Sequence, residues 1–509
     1  LLLNTATPAS NVLNFSSSVA SSFKVDLLGS TSDLVTIGSG LVGVGSAPVT
    51  INANALGSLP AGTRTIMTSV NGGLNAGGGF VLDQTTGNFG GSQLSLTNLG
   101  TSLVLNITAA SAAPAVLYFN GSLDNNFSTF TGGNTNNSNF STDAAGTVNA
   151  FAAPDAGTEL HIQATSFASA VRTVTLGRDF AIKSLFIDAQ VANALTIASG
   201  VGTSSLTIGP SSSSEGITVN SSTGGTVAIS APLVLAGNQS FTNNSANLLT
   251  ISGGITGTSN LELKNNSTAG TTISTGGLNH TGTLTNSGTG TGTSTISGVL
   301  GSNVTSLTQN SATSNMTLSG TAANTFTGPT TVTAGSLTLN KTAGGSALTG
   351  NILINGGNLS FGSAADNQIA DTATVTVTSG TFNTTAGVPN VGFAGLDEKF
   401  ASLTVSGTGH FNNGNNAADT GVEITGNATF TGGSGASFMG GSGALFTANS
   451  LTLTDMSRTS STATAGPSLA QIADGFIVYG NNAEQSVINI GSGGLRLEGI
   501  NAGSKIILR

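Results

Sequence analysis

Few side chains in this sequence could do chemistry. Lys and Arg total 12 and Asp and Glu total 21 among 509 residues, with three His and no Cys. Acid–base or hydrolytic chemistry on a saccharide needs two or more carboxylates converging on one groove, often with a Lys or Arg beside them. In a chain that coils with a period near 22, groups one period apart would stack. Asp397 and Asp419 are 22 apart, Glu398 and Glu423 are 25 apart, and Lys399 adjoins the first pair. The pattern favours turn-exposed solvating charges over a catalytic or metal site. His161, His280 and His410 are separated by more than 100 residues, and of the three His161 alone has a close carboxylate, Glu159. Glu262 and Lys264 sit on one strand face as an exposed pair of little energetic weight. Gly432-Gly433-Ser434-Gly435 and Gly440-Gly441-Ser442-Gly443 lack the Asp of calcium-binding nonapeptides and the Lys of a phosphate loop, so they read as tight turns. No catalytic, cofactor-binding or metal-ligating residue is expected, and no cofactor.

The elements that must position these groups are short alternating runs such as Met316-Thr317-Leu318, Thr331-Val332-Thr333 and Leu337-Thr338-Leu339, punctuated by Gly320, Gly328, Pro329 and Gly335. Alternation places apolar and hydroxyl side chains on opposite faces of a strand, and each run is too short to bury itself. The last apolar residue of each run recurs at Ile187, Ile208, Ile229, Ile251, Ile273, Ile296, Leu318, Leu339, Phe361, Phe382, Val405, Phe430 and Leu453, in steps of 21 to 25 residues. Such a period means a solenoid. Leucine-rich repeats share the length but place several Leu where this chain has Thr, Ser, Gly and Asn. The expected fold is therefore all-β, a parallel β-helix (β-solenoid) with coils of about 22 residues, in which the recurring Ile, Leu, Phe and Val form a core ladder. Thr250, Thr272, Thr295, Thr317 and Thr338 would make a hydroxyl ladder beside it, facing outward or inward.

Four segments are expected. Residues 1–113 carry irregularly spaced runs, read as coils at the end of a preceding module. Residues 114–172 form an Asn/Phe-rich boundary with a projecting loop, where Phe119, Phe127, Phe130 and Phe140 call for local packing. Residues 173–455 are the regular helix of coils, and residues 456–509 continue as β coils with a short helical turn near Pro467 to Ala473.

Hydrophobic residues make up 38% of the chain and charged ones 6%, and residues 265 to 340 carry no formal charge. Nucleic-acid binding is excluded as a reading because counterion release needs clustered Lys or Arg. No run of 18 apolar residues exists, so no membrane-spanning helix is expected. Low charge with dense strand pattern invites strand stacking between chains. The chain opens at Leu1 without a basic leader and closes on Lys505-Ile506-Ile507-Leu508-Arg509. It reads as a processed or excised portion with blunt, stackable ends, its export signal or anchor lying outside it.

The stretch Met316–Leu339 resembles the autotransporter-associated β-strand repeat of bacteria. Its Thr317-Leu318-Ser319-Gly320 run, Asn324-Thr325-Phe326-Thr327-Gly328 turn, Thr330-Thr331-Val332 strand and Ala334–Leu339 strand carry the likeness. Weaker likeness extends through Asn367–Val375 and Ser402–Gly407. The resemblance implies a right-handed β-helix, export, and a bacterial cell-surface role without known chemistry. The expected function is thus a non-enzymatic, secreted, extracellular structural protein, a subunit of a fibre, surface layer or biofilm matrix whose partner is itself. The alternative is an adhesin rod binding glycans or cell surfaces through the Asn120–Phe140 excursion. A more remote one is a polysaccharide-degrading enzyme using Asp397, Asp419 and Lys399.

Overall fold

Alternating Thr and aliphatic residues resist helix and favour strands, because β-branched side chains keep a single comfortable χ1 on a pleated surface. The structure, a computed structural model, accordingly contains strands throughout and no helix among its described residues. It describes residues 2–499 apart from 4–10, 16–20, 29, 56–58, 76, 84–91, 109–112, 132–136, 151, 163–170, 189–193, 201, 210–214, 222–223, 343–344, 363–366, 385–397, 414–420, 432–436, 441–444, 455–469, 473–474, 478–485 and 492–493. The chain divides into two compact units, residues 1–183 with 198–205, and residues 184–197 with 206–509.

In the first unit, parallel pairings recur at wide intervals. Ser21 lies opposite Val49 and Val49 opposite Phe80 in one stack, while Leu2 opposes Thr36 and Thr36 opposes Thr68 in another. The strands Gly62–Ser69, Ser102–Thr108 and Gln93–Asn98 then pair antiparallel. Their inward positions, among them Val25, Ile37, Ile51, Ile66, Leu103 and Leu105, form one buried cluster. Further along, Val116–Phe119 pairs parallel with Glu159–Ile162. Beneath that pair Phe119, Phe127 and Phe140 are fully buried, their ring centroids 4.9 to 5.7 Å apart. The aromatic packing read from the sequence is therefore a closed core.

The second unit is a parallel β-solenoid. Ile229 lies opposite Ile251, then Ile273, Ile296, Leu318, Leu339 and Phe361 in one unbroken register. All seven are buried. A second stack runs from Leu261 through Leu284, Leu307, Thr330 and Ile352 to Val375, equally buried. A third, narrower one is made by Leu206–Ile208, Leu233–Leu235 and Ile255–Gly257. Each fully buried Leu or Ile is worth about 1.5–3 kcal/mol of transfer free energy, and only stacking coils can bury it. Tight corners make the stacking possible: at Gly320, with φ +85°, an added Cβ would lie 2.2 Å from the Ser297 carbonyl of the preceding coil. No side chain fits there.

The remaining members of the sequence series take other places. Ile187 opposes Val219 and Ile208 opposes Leu235, at 32 and 27 residues, so neither joins the Ile229 column. Phe382 opposes Leu359, two residues short of Phe361, although the two phenyl rings touch at 5.9 Å. Val405 opposes Val377 on one side and Phe430 on the other, with Leu453 next in that register. Of the helical turn expected from Pro467 to Ala473, residues 467–469 and 473 lie outside the described residues, and Ala470–Ile472 is a strand, paired antiparallel with Gly475–Ile477. Ala470 and Ile472 are flanked by Gly475 and the β-branched Ile477, which suits a hairpin.

Candidate functional site

The charged cluster read from the sequence is split by strand alternation. Asp397 and Asp419 lie outside the described residues. Lys399 faces outward, with its Nζ 3.8 Å from Glu423 and 3.9 Å from Asp371, and is in direct register with Glu423. Glu398, one residue earlier, points the opposite way into the interior. Adjacent strand residues cannot share a face, so the carboxylates of Glu398 and Glu423 do not converge.

Glu398 instead holds a backbone turn. Its two oxygens accept the N–H groups of Gln368 at 2.8 Å and Ile369 at 2.9 Å. Burial pushes the Glu398 carboxyl up to about 8, against the pull of those N–H groups. Gln368 carries the linkage onward: its side chain accepts from the Lys341 N–H and donates to the Lys341 carbonyl, each at 2.9 Å. Lys341 is itself buried, with Nζ donating to the Gly298 carbonyl at 3.3 Å, and burial pushes its ammonium down to about 8. Lys341, Gln368 and Glu398 thus form an interior polar strip that spans successive coils. The sequence reading paired Glu398 with Glu423 by spacing; alternation within Glu398-Lys399-Phe400 was the signal that separates them, since Phe400 must face the core and Glu398 shares its side.

A second interior feature also escaped the sequence reading. Asn243 and Asn265 are in direct register, and with Asn286 and Gln309 they line the core at the ends of their strands, all four buried or nearly so. Thr271 Oγ1 donates to Asn265 Oδ1, Asn265 Nδ2 donates to Ser294 Oγ, and Ser294 Oγ donates to Asn286 Oδ1. Asn286 Nδ2 donates to Gln309 Oε1, and Gln309 Nε2 donates to the carbonyls of Ser311 and Ser314. These neutral amides are donors and acceptors at once, so one side chain satisfies two coils. The signal lay in strand endings Ser-Phe-Thr-Asn243, Leu-Lys-Asn265 and Leu-Thr-Asn286, spaced 22 and 21 apart.

Glu262 and Lys264 pair on the outer face at 2.8 Å, with Ser240 donating to Glu262 at 3.0 Å. Burial raises the Glu262 carboxyl, and hydrogen bonds from Lys264, Ser287 and Ser240 more than offset it, so it sits below the ordinary carboxylate range. His280 is buried, its Nε2 3.3 Å from the Thr283 carbonyl, and burial holds its pKa down. His161 packs against Tyr118 on the paired strand, with ring centroids 4.9 Å apart and ring planes tilted by 33°. His410 is exposed on a strand opposite Thr381. No group of three or more His, Asp or Glu able to hold a metal ion occurs among the described residues. No helix long and apolar enough to cross a membrane occurs among them. No family model, curated protein or solved structure matches this chain.

Proposed function

We infer that the chain is a structural β-solenoid, an extracellular building element whose work is to hold its own strands in register and to stack with other copies. The observation that carries this reading is where its polar groups are spent. Lys399 ties Asp371 to Glu423 across coils, Glu398 binds backbone N–H groups, and Asn265 and Asn286 join neighbouring turns of the core. Each of these side chains is engaged in cohesion between coils. The Glu398 carboxyl and the Lys341 amine are turned away from solvent, where no saccharide reaches them.

Recognition of sugars by aromatic faces is disfavoured by the same geometry. The rings of Phe119, Phe127 and Phe140 pack on one another, and the Tyr118 face is taken up by His161. The test is electron microscopy of the purified chain in physiological salt. Fibres or sheets with a repeat near ~4.8 Å along the stack support the reading. Rods that stay single at all concentrations overturn self-assembly, and a glycan array that binds such rods would replace it with the adhesin.

A further inference from the structure

The outward side of the Ile251–Leu339 column is a two-row hydroxyl array. Thr250, Thr272, Thr295, Thr317 and Thr338 are in direct register, each half-exposed between two buried neighbours. Two residues on, Ser252, Ser274, Ser297 and Ser319 repeat the row, and the N–H groups of Ser252, Ser274 and Ser297 continue the coil-to-coil hydrogen bonding to the carbonyls of Ile229, Ile251 and Ile273. The Thr250, Thr272, Thr295 and Thr317 hydroxyls make no hydrogen bond to the described residues, so their bonding capacity is turned to solvent. A second outward row, Glu262, Thr285, Thr308 and Thr331, is also in direct register, but it opens on a carboxylate paired with Lys264, and two residues beyond Thr331 the Thr333 hydroxyl is bonded to Asn310.

Three features constrain what such a face can bind. From residue 265 to 340 the chain carries no formal charge, which removes electrostatic anchoring. No aromatic ring stands in either row, which removes stacking on a sugar. What is left is periodicity: the Thr250, Thr272, Thr295 and Thr317 hydroxyls, each with a methyl beside it, repeat unengaged at the ~4.8 Å spacing of adjacent strands, while Ser297 and Thr338 bond to the Ile273 carbonyl and to Ser360. Water oxygens joined tetrahedrally at about 2.75 Å recur at about 4.5 Å between second neighbours, close to that spacing. We propose that the Thr250–Thr338 face is an ice-binding surface: the array fixes water in ice-like rows along the stack and adsorbs the chain to a growing crystal.

The experiment is nanolitre osmometry and ice-recrystallisation assay on the full chain. Wild type shapes ice crystals and shows a gap between melting and growth temperatures. T272Y and T295Y, which raise bulk in mid-array, reduce that gap to the buffer value, and T317V, which keeps the size but removes the hydroxyl, reduces it partly. T308Y, on the other outward column, keeps it. Matching thermal melts and circular dichroism establish that the variants fold. Ice that grows in the presence of wild type as it does in buffer overturns the proposal, as does a gap preserved in T272Y and T295Y. A wild type without a gap whose sedimentation mass falls in T295Y overturns it in favour of a second copy covering this face.

Discussion

Within the second unit, the coils from Leu249 to Asn340 and those from Lys341 to Phe430 solve the same problem differently. In the first stretch the partners are 21 to 23 residues apart, and the polar interior is made of neutral amides and hydroxyls bonded to each other. In the second, the interior holds a Lys and a Glu, the bridged residues are 27 and 30 apart, and the register shifts between Ile354 and Asn358 and again between Val377 and Ser379. A neutral amide can be copied from coil to coil because each copy satisfies the next. A buried charge cannot be stacked on its like, so it stands once, at a place where the repeat changes length.

Breaking the regular stretch should cost most. Ile296→Asp puts a carboxylate into a fully buried ladder position. A loss of about 3–5 kcal/mol is expected, the scale for an uncompensated buried charge, read as collapse of the thermal transition. An unchanged melt would refute the register. Next comes Asn286→Ala, which strands Gln309 Oε1 and Ser294 Oγ in the core. Its expected cost is about 2–4 kcal/mol in denaturant unfolding, from groups left without partners.

The second stretch should reveal itself through pH. Glu398 titrates near 8 when folded and at the ordinary carboxylate value when unfolded, so the unfolded chain releases its proton first. Its contribution to stability is full below pH 4.5 and is lost as pH rises toward 8. Lys341 works in the opposite sense: its depressed folded value makes stability rise as pH climbs from about 8 to 10.5. Melting temperatures of Glu398→Gln should lack the decline between pH 4.5 and 8, and those of Lys341→Met should lack the alkaline rise. Equal pH slopes in wild type and variants would place these side chains in water. The smallest effect is reserved for Lys399→Ala, which removes partly exposed ion pairs and should shift stability by about 0–1 kcal/mol.

How far the sequence could be read follows from the same contrast. Between Ile229 and Phe361 the marked residues form one column, because every coil there has nearly the same length and alternation alone sets which side chain faces inward. Ile187 and Ile208 fell on the same 21-residue grid while belonging to other strands, since each coil contains several Thr-flanked aliphatic runs and spacing does not say which run is opposite which. The Thr250–Thr338 row was legible as a row, but the direction it faces is a property of the closed coil. Asp397, Glu398, Asp419 and Glu423 were gathered by spacing. Of these, Glu398 and Glu423 are separated by pleating, and the other two lie outside the described residues.

The sequence by itself determined strands, period and, from Ile229 to Phe361, the identity of the buried ladder, because alternation and tight turns are local and a 22-residue repeat can bury its apolar face only by stacking. The tertiary structure decided which runs are opposed, that Asn265 and Asn286 share bonds inside the core, and that Glu398 grips the backbone at Gln368 while Lys341 meets Gly298. Apart from Ser294 on Asn286, 8 residues apart, those contacts join residues 29 to 43 apart across coils of unequal length, and their partners are set by where the chain closes on itself, which no local pattern encodes.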